Sequence, residues 1–223
     1  MEYFTQDYLD FFKELAANNN KDWFDKNRKR YENVVREPFK KFVSELIKAM
    51  ARKDPELHLE AKDAIFRINR DIRFSKDKTP YKLNNSAIIS PKGRKDKNYP
   101  GIYIEFGPEK LAFYGGVYMP DSKQVQKIRA YFMDNSEEAR ALLNDPAFKK
   151  TFEGMHGEKS KRIAKEFREA AEQQPLIWNK QWYYYCHLPP EQILEENLMS
   201  VLLDLSEKAS GMKKFLTSAL YER

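Results

Sequence analysis

Cysteine is nearly absent from this chain, and its scarcity limits the chemistry that the chain can carry. Cys186 is the one cysteine, so a disulfide within the chain is excluded. The three histidines, His58, His156 and His187, show no metal-ligand spacing with it, which argues against a zinc site. Cys186 and His187 are neighbours, but adjacent side chains of a strand point to opposite faces and do not form a catalytic dyad.

Long apolar runs are also missing. No stretch approaches the roughly 20 apolar residues that cross a bilayer, and the segment Met1 to Phe12 has no apolar signal pattern. Together with the single cysteine, these features favour a reducing cytoplasm and predict no membrane partner.

Three common enzyme motifs are absent as well. The sequence has no phosphate loop with Walker spacing, no dinucleotide-binding glycine pattern and no nucleophile elbow. The enzyme classes that these three motifs define therefore lose support. The sequence predicts no metal, and it leaves the cofactor, the catalytic residues and the oligomeric state unknown.

Aromatic residues, by contrast, are plentiful. Fifteen Phe, thirteen Tyr and three Trp indicate a packed globule rather than disorder. A length of 223 residues suits one domain with a sizeable core. We expect a single α+β domain over residues 1–223, with an antiparallel sheet of about five strands covered by N-terminal and C-terminal helices.

Period-two alternation and flanking turn residues predict the strands. The expected strands are Phe66 to Ser75, Leu83 to Ser90, Gly101 to Phe106, Leu111 to Tyr118 and Gln181 to Leu188. Gly115 and Gly116 in the fourth of these indicate a bulge or a close approach by another backbone or a ligand. Pro38 should break or kink the second helical segment, and a charged amphipathic helix is expected around Ile163 to Ala171.

The most unusual stretch is Arg67 to Lys82, RINRDIRFSKDKTPYK, with six basic and two acidic residues. The positive charge is local, since Arg67 to Lys97 holds ten basic and three acidic residues while the whole chain carries +6. If Phe66 to Ser75 is extended, alternate residues form one apolar and one polar face. The polar face would carry two guanidiniums, an amide, a carboxylate and a hydroxyl, which is unusual for a strand that is merely solvated.

Arg70 would stand on the apolar face of that strand. Burying an unpaired guanidinium costs on the order of several kcal/mol, so Arg70 should be paired, reach an edge or face a ligand. Alternatively, it reaches solvent at the strand end, or a bulge shifts the register. Pro80 favours an extended or turn conformation at Thr79, so the strand should lead into a loop.

Two functional interpretations of the stretch are open. In the first, its Arg and Lys residues, with Tyr81, Tyr99 and Tyr103, hold a phosphate-bearing ligand or nucleic acid. In the second, the protein is an enzyme acting on a small phosphorylated or carboxylated substrate. The arginines would hold the anion, and Asp71 or Asp77 would serve as acid, base or metal ligand.

A third interpretation is a structural ion-pair network without a ligand. Asp71 would pair with Arg73 or Arg129, and Asp77 with Lys78. An unpaired Arg70 in a positive concavity would favour an anion site, whereas arginines that all meet carboxylates would favour a structural role. The candidate ligand-binding residues are Arg67, Arg70, Asp71, Arg73, Ser75, Lys76, Asp77, Lys78, Tyr81, Lys82 and Arg129.

Several motifs resemble those of a known family. They are RDIRFSKDKTPYK at Arg70 to Lys82, NNNKDWF at Asn18 to Phe24, and GGVYMP at Gly115 to Pro120, followed by Ile128 and Arg129. On these residues the chain resembles, over nearly its whole length, the domain of unknown function 2461 family, an uncharacterised group best known from bacteria. The resemblance implies a single α+β domain and no known cofactor or catalytic residues.

One segment departs from the family pattern. In Thr151 to Pro175, relatives have a turn that contains proline, glycine and histidine, whereas this chain carries a charged helical pattern. The resemblance therefore implies no shared role for this segment.

Overall fold

A computed structural model describes residues 2–96 and 98–221. Within these residues it shows an α+β fold in which a four-stranded antiparallel sheet is flanked by helices. The predicted fold class is confirmed, and the sheet has slightly fewer strands than the five or so expected. Lys97, which belongs to the basic stretch of the sequence, lies outside the described residues.

The strands pair in the order β1-β2-β3-β4. They are β1 (Asn85–Ile89), β2 (Gly101–Phe106), β3 (Leu111–Val117) and β4 (Trp182–Leu188). Each coincides closely with an expected strand. Every residue of β1 is buried.

The helices precede, follow and interrupt the strands along the chain. They are α1 (Gln6–Ala17), α2 (Lys21–Lys26), α3 (Arg28–Arg30), α4 (Glu37–Ala51), α5 (Ala61–Ala64), α6 (Ser122–Asp134), α7 (Ser136–Asn144), α8 (Pro146–Phe152), α9 (Arg168–Gln173), α10 (Leu198–Lys208) and α11 (Ser210–Tyr221). Short 3-10 turns occur at Gly93–Lys95, Lys165–Phe167, Pro175–Trp178 and Pro190–Ile193. In the described part of the chain, no helix combines the length and the apolar character needed to cross a membrane.

The chain divides into two compact units. Unit 1 comprises Met1–Lys95, Tyr103–Phe113 and His187–Leu203, and unit 2 comprises Asp96–Ile102, Tyr114–Cys186 and Asp204–Arg223. Strands β2, β3 and β4 contribute residues to both units. The expectation of one domain over residues 1–223 stays a prediction.

Aromatic side chains form much of the core of unit 1. The ring centroid of Phe106 lies 5.3 Å from that of Phe39 and 5.5 Å from that of Phe42. Phe4 approaches the same ring at 5.7 Å with an edge-on geometry. Such edge-to-face contacts add to the stabilisation that burial of the rings already provides.

Pro38 changes the helix in front of it. Proline has no backbone N–H, and its ring clashes with the carbonyl four residues earlier, so it disrupts a regular helix. Here the preceding segment, Tyr31–Arg36, is a π-helix, and the N–H of Glu37 donates to the carbonyl of Glu32. α4 then continues with Pro38 in its first turn. The expected disruption at Pro38 therefore takes the form of a wider turn before it.

Unit 2 is closely packed at the paired glycines of β3. A Cβ atom on Gly115 would lie 2.4 Å from the ring of Tyr184, and one on Gly116 would lie 2.2 Å from the carbonyl oxygen of Trp182. Gly116 also has a φ of +103°. The predicted close approach of another backbone occurs at Gly116, where the Trp182 carbonyl lies. At Gly115 the approaching group is instead a side chain, the Tyr184 ring.

The predicted strand over Phe66 to Ser75 is wrong. This part of the chain makes only isolated antiparallel bridges, which join Ile65 to Ala87 and Asn69 to Tyr81. A continuous ladder does not form, and the sheet lacks the additional strand that the alternating pattern indicated.

Local hydrogen bonds explain why this segment is irregular. The N–H of Arg73 donates to Oδ1 of Asp71 at 3.3 Å, and the N–H of Thr79 donates to Oδ1 of Asp77 at 2.9 Å. Short polar side chains that bind nearby backbone groups compete with strand pairing. Pro80 offers no N–H to a ladder, so the chain turns back as a loop.

The charged helix expected around Ile163 to Ala171 is shorter than predicted, since only α9 and the 3-10 turn before it are helical. Gly154 and Gly157, both with positive φ, keep the chain non-helical after α8. Between them, His156 forms a bridge with Tyr183 of β4. A second isolated bridge joins Lys159 to Asn179, so this part of the segment is extended rather than helical.

The paired glycines yield a stability prediction. We expect Gly116→Ala to lower the free energy of unfolding by about 3 kcal/mol, because the new methyl group meets the Trp182 carbonyl in addition to the backbone strain. Gly154→Ala is a matched control, since Gly154 has a φ of +104° but nothing within 4 Å of the added atom. It should cost only about 1 kcal/mol. Equal losses in chemical denaturation would show that the contact with Trp182 is unimportant.

Candidate functional site

A cavity of about 530 Å³ in unit 1 combines aromatic walls with cationic side chains. We call it the basic cavity. Its cations are Arg28, Arg36, Lys40, Lys62, Arg67 and Arg94. Its aromatic residues are Phe24, Tyr31, Phe39, Phe66 and Tyr81. One acidic residue, Glu32, belongs to the lining, together with the amide side chains of Asn69 and Asn85.

The π-helical turn supplies part of the lining. Tyr31, Glu32 and Arg36 all belong to it, and Arg36 donates to the two carboxylate oxygens of Glu32 at 2.9 and 2.7 Å. π turns often occur at functional sites because the extra residue redirects side chains. Pro38, which this turn accommodates, therefore helps to determine how an ion pair is presented to the cavity.

Arg94 is fixed against the end of α5. Its Nε donates to the carbonyl of Asp63 at 3.1 Å, and its Nη2 donates to the carbonyl of Lys62 at 2.6 Å. Carbonyls at the C-terminal end of a helix lack partners within the helix, so they are ready acceptors. The remaining N–H groups of this guanidinium are available to another acceptor.

The cations of the basic cavity are unequally compensated. Carboxylates pair with four of them: Arg28 with Asp25, Arg36 with Glu32, Lys40 with Glu37 and Lys62 with Glu60. Arg67 makes no hydrogen bond or ion pair with any of residues 2–96 or 98–221. Arg94 binds carbonyl groups only. Two guanidinium groups thus border the cavity without a close ion pair to a carboxylate, although Arg67 still interacts electrostatically with Asp71. An anion in the cavity would be attracted to both.

Asn85 adds an unusual polar group to the lining. It is 5% exposed, and its side-chain amide makes no hydrogen bond within the described part of the chain. The amide nitrogen and oxygen are not fully buried, and because Asn85 lines the basic cavity, a group inside the cavity can reach them. Such an amide is explained if it binds a ligand that enters the cavity.

The segment Arg70 to Thr79 is a loop closed by its own ion pairs, and we call it the motif loop. Nη1 of Arg70 donates to the Asp77 carboxylate, to Oγ1 of Thr79 and, at 3.2 Å, to the Thr79 carbonyl. Arg73 donates to Asp71 through Nε at 2.9 Å and Nη2 at 2.7 Å. Arg70 and Arg73 therefore already have carboxylate partners.

These contacts lower the pKa values of both aspartates to about 2. For Asp77 the largest cause is the hydrogen bond from the Thr79 backbone, followed by the one from Arg70. For Asp71 it is the hydrogen bond from the Arg73 side chain. Both carboxylates are thus held in the charged form.

The pairing differs in one respect from the network that the sequence suggested. Asp71 binds Arg73, one of its two expected partners, but Asp77 binds Arg70 rather than Lys78. The ammonium group of Lys78 donates to the carbonyl of Ile72 at 2.9 Å instead.

Two of the predicted site residues, Arg67 and Tyr81, line the basic cavity. The Tyr81 ring stacks on Phe24 with 4.0 Å between centroids. Asn19 holds the Tyr81 backbone on both sides: its Nδ2 donates to the carbonyl at 2.9 Å, and its Oδ1 accepts from the N–H at 3.1 Å. The other predicted residues are not part of the lining: Arg70, Asp71, Arg73, Ser75, Lys76, Asp77, Lys78, Lys82 and Arg129.

Arg129 belongs to unit 2 and is 4% exposed. Its Nη2 donates to Oγ of Ser160 at 2.6 Å and to the carbonyl of Asn179 at 3.0 Å. Burial lowers its pKa. The structure therefore gives Arg129 neutral partners rather than the Asp71 carboxylate.

Most of the cavity cations were not predicted from the sequence. Arg28, Arg36, Lys40 and Lys62 lie in helices or at their ends, where exposed basic residues are ordinary and carry no functional signal. Arg94 did carry a signal, because it belongs to the local excess of positive charge that starts at Arg67.

The described residues contain no group of three or more His, Cys, Asp or Glu side chains that could hold a metal ion. The basic cavity instead offers guanidinium and amide donors beside apolar walls. Such a lining is suited to binding an anion that also has an apolar part.

The motif loop yields a prediction about pH. Because the pKa of each aspartate lies below its usual 3.8, the ion pairs are complete above about pH 4 and are lost as the pH falls towards 2. We expect Arg70→Gln to raise the pKa of Asp77 and leave that of Asp71 nearly unchanged. Arg73→Gln should do the reverse. Carboxyl NMR titration checks both, and a change of both pKa values in either variant would contradict the two separate pairs.

Comparison with known proteins gives one family. No curated protein sequence matches the chain. The family of conserved hypothetical proteins known as DUF2461, domain of unknown function 2461, matches residues 7–215 of the 223. Because this match spans nearly the whole chain, the protein belongs to the domain of unknown function 2461 family.

Proposed function

We propose that this protein binds a small ligand carrying a phosphate or carboxylate group in the basic cavity. The observation that carries the proposal is that Arg67 and Arg94 border one cavity and that neither makes an ion pair with a carboxylate of the described residues. The sequence suggested an anion site over Arg67 to Lys82. The proposal assigns the anion instead to the basic cavity, which Arg67 and Tyr81 line.

The chemistry of the guanidinium group supports an oxyanion ligand. Arginine presents several N–H donors in a planar fork that fits two oxygens of a phosphate or carboxylate. Arg94 is already oriented by its two bonds to α5, so less side-chain freedom is lost when a ligand binds. Arg67 is exposed and supplies the second, more mobile cation.

The size and walls of the cavity support a metabolite-sized ligand. A volume of about 530 Å³ lies within the range of small-molecule sites. Ile65, Ile68 and Phe66 supply apolar surface beside the cations. We therefore expect a ligand that has both an anionic group and an apolar or ring-shaped part.

The lining favours binding over catalysis. Its one carboxylate, Glu32, is engaged by both hydrogen bonds from Arg36. Burial, as the largest cause, raises the pKa of the Tyr31 phenol to about 12. A phenol with so high a pKa stays protonated near neutral pH and does not act as a general base there.

The first test is a calorimetric titration with inorganic phosphate and pyrophosphate. We expect Arg67→Ala to weaken pyrophosphate binding by roughly 10-fold to 100-fold, as for the loss of a hydrogen bond to a charged group. Arg67→Lys should retain part of the affinity, since it keeps the charge but loses the fork. Lys150→Ala is the control, because Lys150 is also an exposed cation but does not line the cavity.

The proposal fails if Arg67→Ala and Lys150→Ala bind pyrophosphate equally well. It also fails if two results occur together. The wild-type protein binds neither phosphate nor pyrophosphate, and the Arg67→Ala substitution leaves the thermal stability of the protein unaltered across a range of phosphate concentrations. Since Arg67 is exposed and makes no hydrogen bond within the described residues, its removal should not unfold the protein.

Asn85 yields a second test of the same cavity. Asn85→Leu removes an amide that faces the basic cavity and puts an apolar side chain of similar shape in its place, so we expect the free energy of unfolding of the ligand-free protein to change by no more than about 1 kcal/mol. Anion affinity should fall at the same time. A variant that loses more stability than this would show that the amide has a partner needed for folding, and unchanged affinity would show that it does not contact the ligand.

A further inference from the structure

Phe74 is the most exposed large apolar side chain of the described residues, with 96% of its surface accessible. The other phenylalanines are buried, apart from the half-buried Phe66. Phe74 lies within the motif loop, between Arg73 and Ser75. A ring this exposed contributes little to the core and requires a separate explanation.

The motif loop that carries this ring is ordered by its own hydrogen bonds and ion pairs. Arg70 binds Asp77 and Thr79 across the loop, and Arg73 binds Asp71 with two parallel hydrogen bonds. The N–H of Ser75 donates to the carbonyl of Ile72 at 3.3 Å. Groups that are ordered before binding lose less conformational freedom when a partner binds. The order of the motif loop therefore favours a role in binding a partner.

The charge around Phe74 is positive. The two aspartates of the motif loop form ion pairs with Arg70 and Arg73. The ammonium groups of Lys76 and Lys78 therefore have no carboxylate of their own in the loop. The Arg73 guanidinium lies 5.9 Å from the centroid of the Phe74 ring. A partner should therefore combine a flat unsaturated face with negative charge.

We propose that the motif loop binds single-stranded nucleic acid, with Phe74 stacked on an unpaired base and Arg73, Lys76 and Lys78 close to the adjoining phosphates. Stacking of bases on exposed aromatic rings beside basic side chains is the usual means of binding single strands. Paired bases in a duplex are already stacked and offer no free face. This proposal is independent of ligand binding in the basic cavity.

An anionic membrane surface is the competing partner, and the structure favours it less. Binding to a bilayer requires an extended apolar face or a lipid anchor. Phe74 stands alone, since the exposed residues on both sides are Arg73 and Lys76 and the nearest aliphatic side chain, Ile72, is half-buried. A single ring matches one base more closely than it matches a membrane.

The test is fluorescence anisotropy with a labelled oligonucleotide of about 12 nucleotides, within the usual single-strand site size. Phe74→Ala should weaken binding roughly 10-fold, and Phe74→Tyr should bind as the wild type does. Phe74→Leu separates stacking from simple apolar contact, so it should lose affinity as the alanine variant does. A duplex of the same sequence should bind weakly and respond to none of these changes.

The salt dependence tests the phosphate contacts. Three cations near a single strand predict a slope of about −2 in a plot of log affinity against log salt concentration. Lys76→Ala should reduce the size of this slope by about 0.7. Lys150→Ala removes one exposed positive charge from unit 2 and should leave the slope unchanged.

Two further measurements complete the test. Thermal unfolding of the Phe74 variants should match that of the wild type, because the side chain is exposed. Asn85→Leu, which alters the basic cavity, should leave oligonucleotide binding unchanged.

The proposal is overturned if Phe74→Ala binds the oligonucleotide as tightly as the wild type does. It is also overturned if Phe74→Leu retains wild-type affinity. Loss of binding to phosphatidylserine vesicles in Phe74→Ala, with oligonucleotide binding unaffected, would instead assign the motif loop to a membrane surface.

Discussion

The amide of Asn19 connects the two features of unit 1 on which the proposals depend. It pairs with both the N–H and the carbonyl of Tyr81, as a neighbouring strand would, although no strand is present there. This places the Tyr81 ring on Phe24 of α2, a short helix whose start is capped by Asn20. The end of the motif loop and the aromatic wall of the basic cavity are thus held by the same contact, which explains why an asparagine run precedes α2.

The fold could be read from the sequence where patterning and burial agree. β1 to β4 were all predicted, because alternating or wholly apolar stretches there end at clear turn residues. The segment from Phe66 to Ser75 has the same alternation but is not a strand. Its aspartates bind backbone groups close in sequence, and this competition is invisible to a pattern that considers only polarity. Arg70 illustrates the point, since it meets Asp77 across a loop rather than standing on an apolar strand face.

The site could be predicted only in part. The local excess of charge pointed to Arg67 and to the region of Arg94, both of which line the basic cavity. Nothing in the sequence brought Arg28 and Arg36 to the same place, because their position depends on tertiary contacts and on a π-helical turn. Asn85 was also missed, since an asparagine at the start of a strand is ordinary until its side chain is seen to line a cavity.

The π-helical turn at Tyr31–Arg36 has an evolutionary consequence. A π turn holds about one residue more than an α turn, so it behaves as a one-residue insertion within a helix. Deleting a single residue there would restore regular α-helical spacing and rotate the two halves of the helix by about 100° relative to each other. Glu32 and Arg36 would then no longer keep their present directions. The length of this segment, as much as the identity of its side chains, therefore decides which groups a relative presents to its cavity.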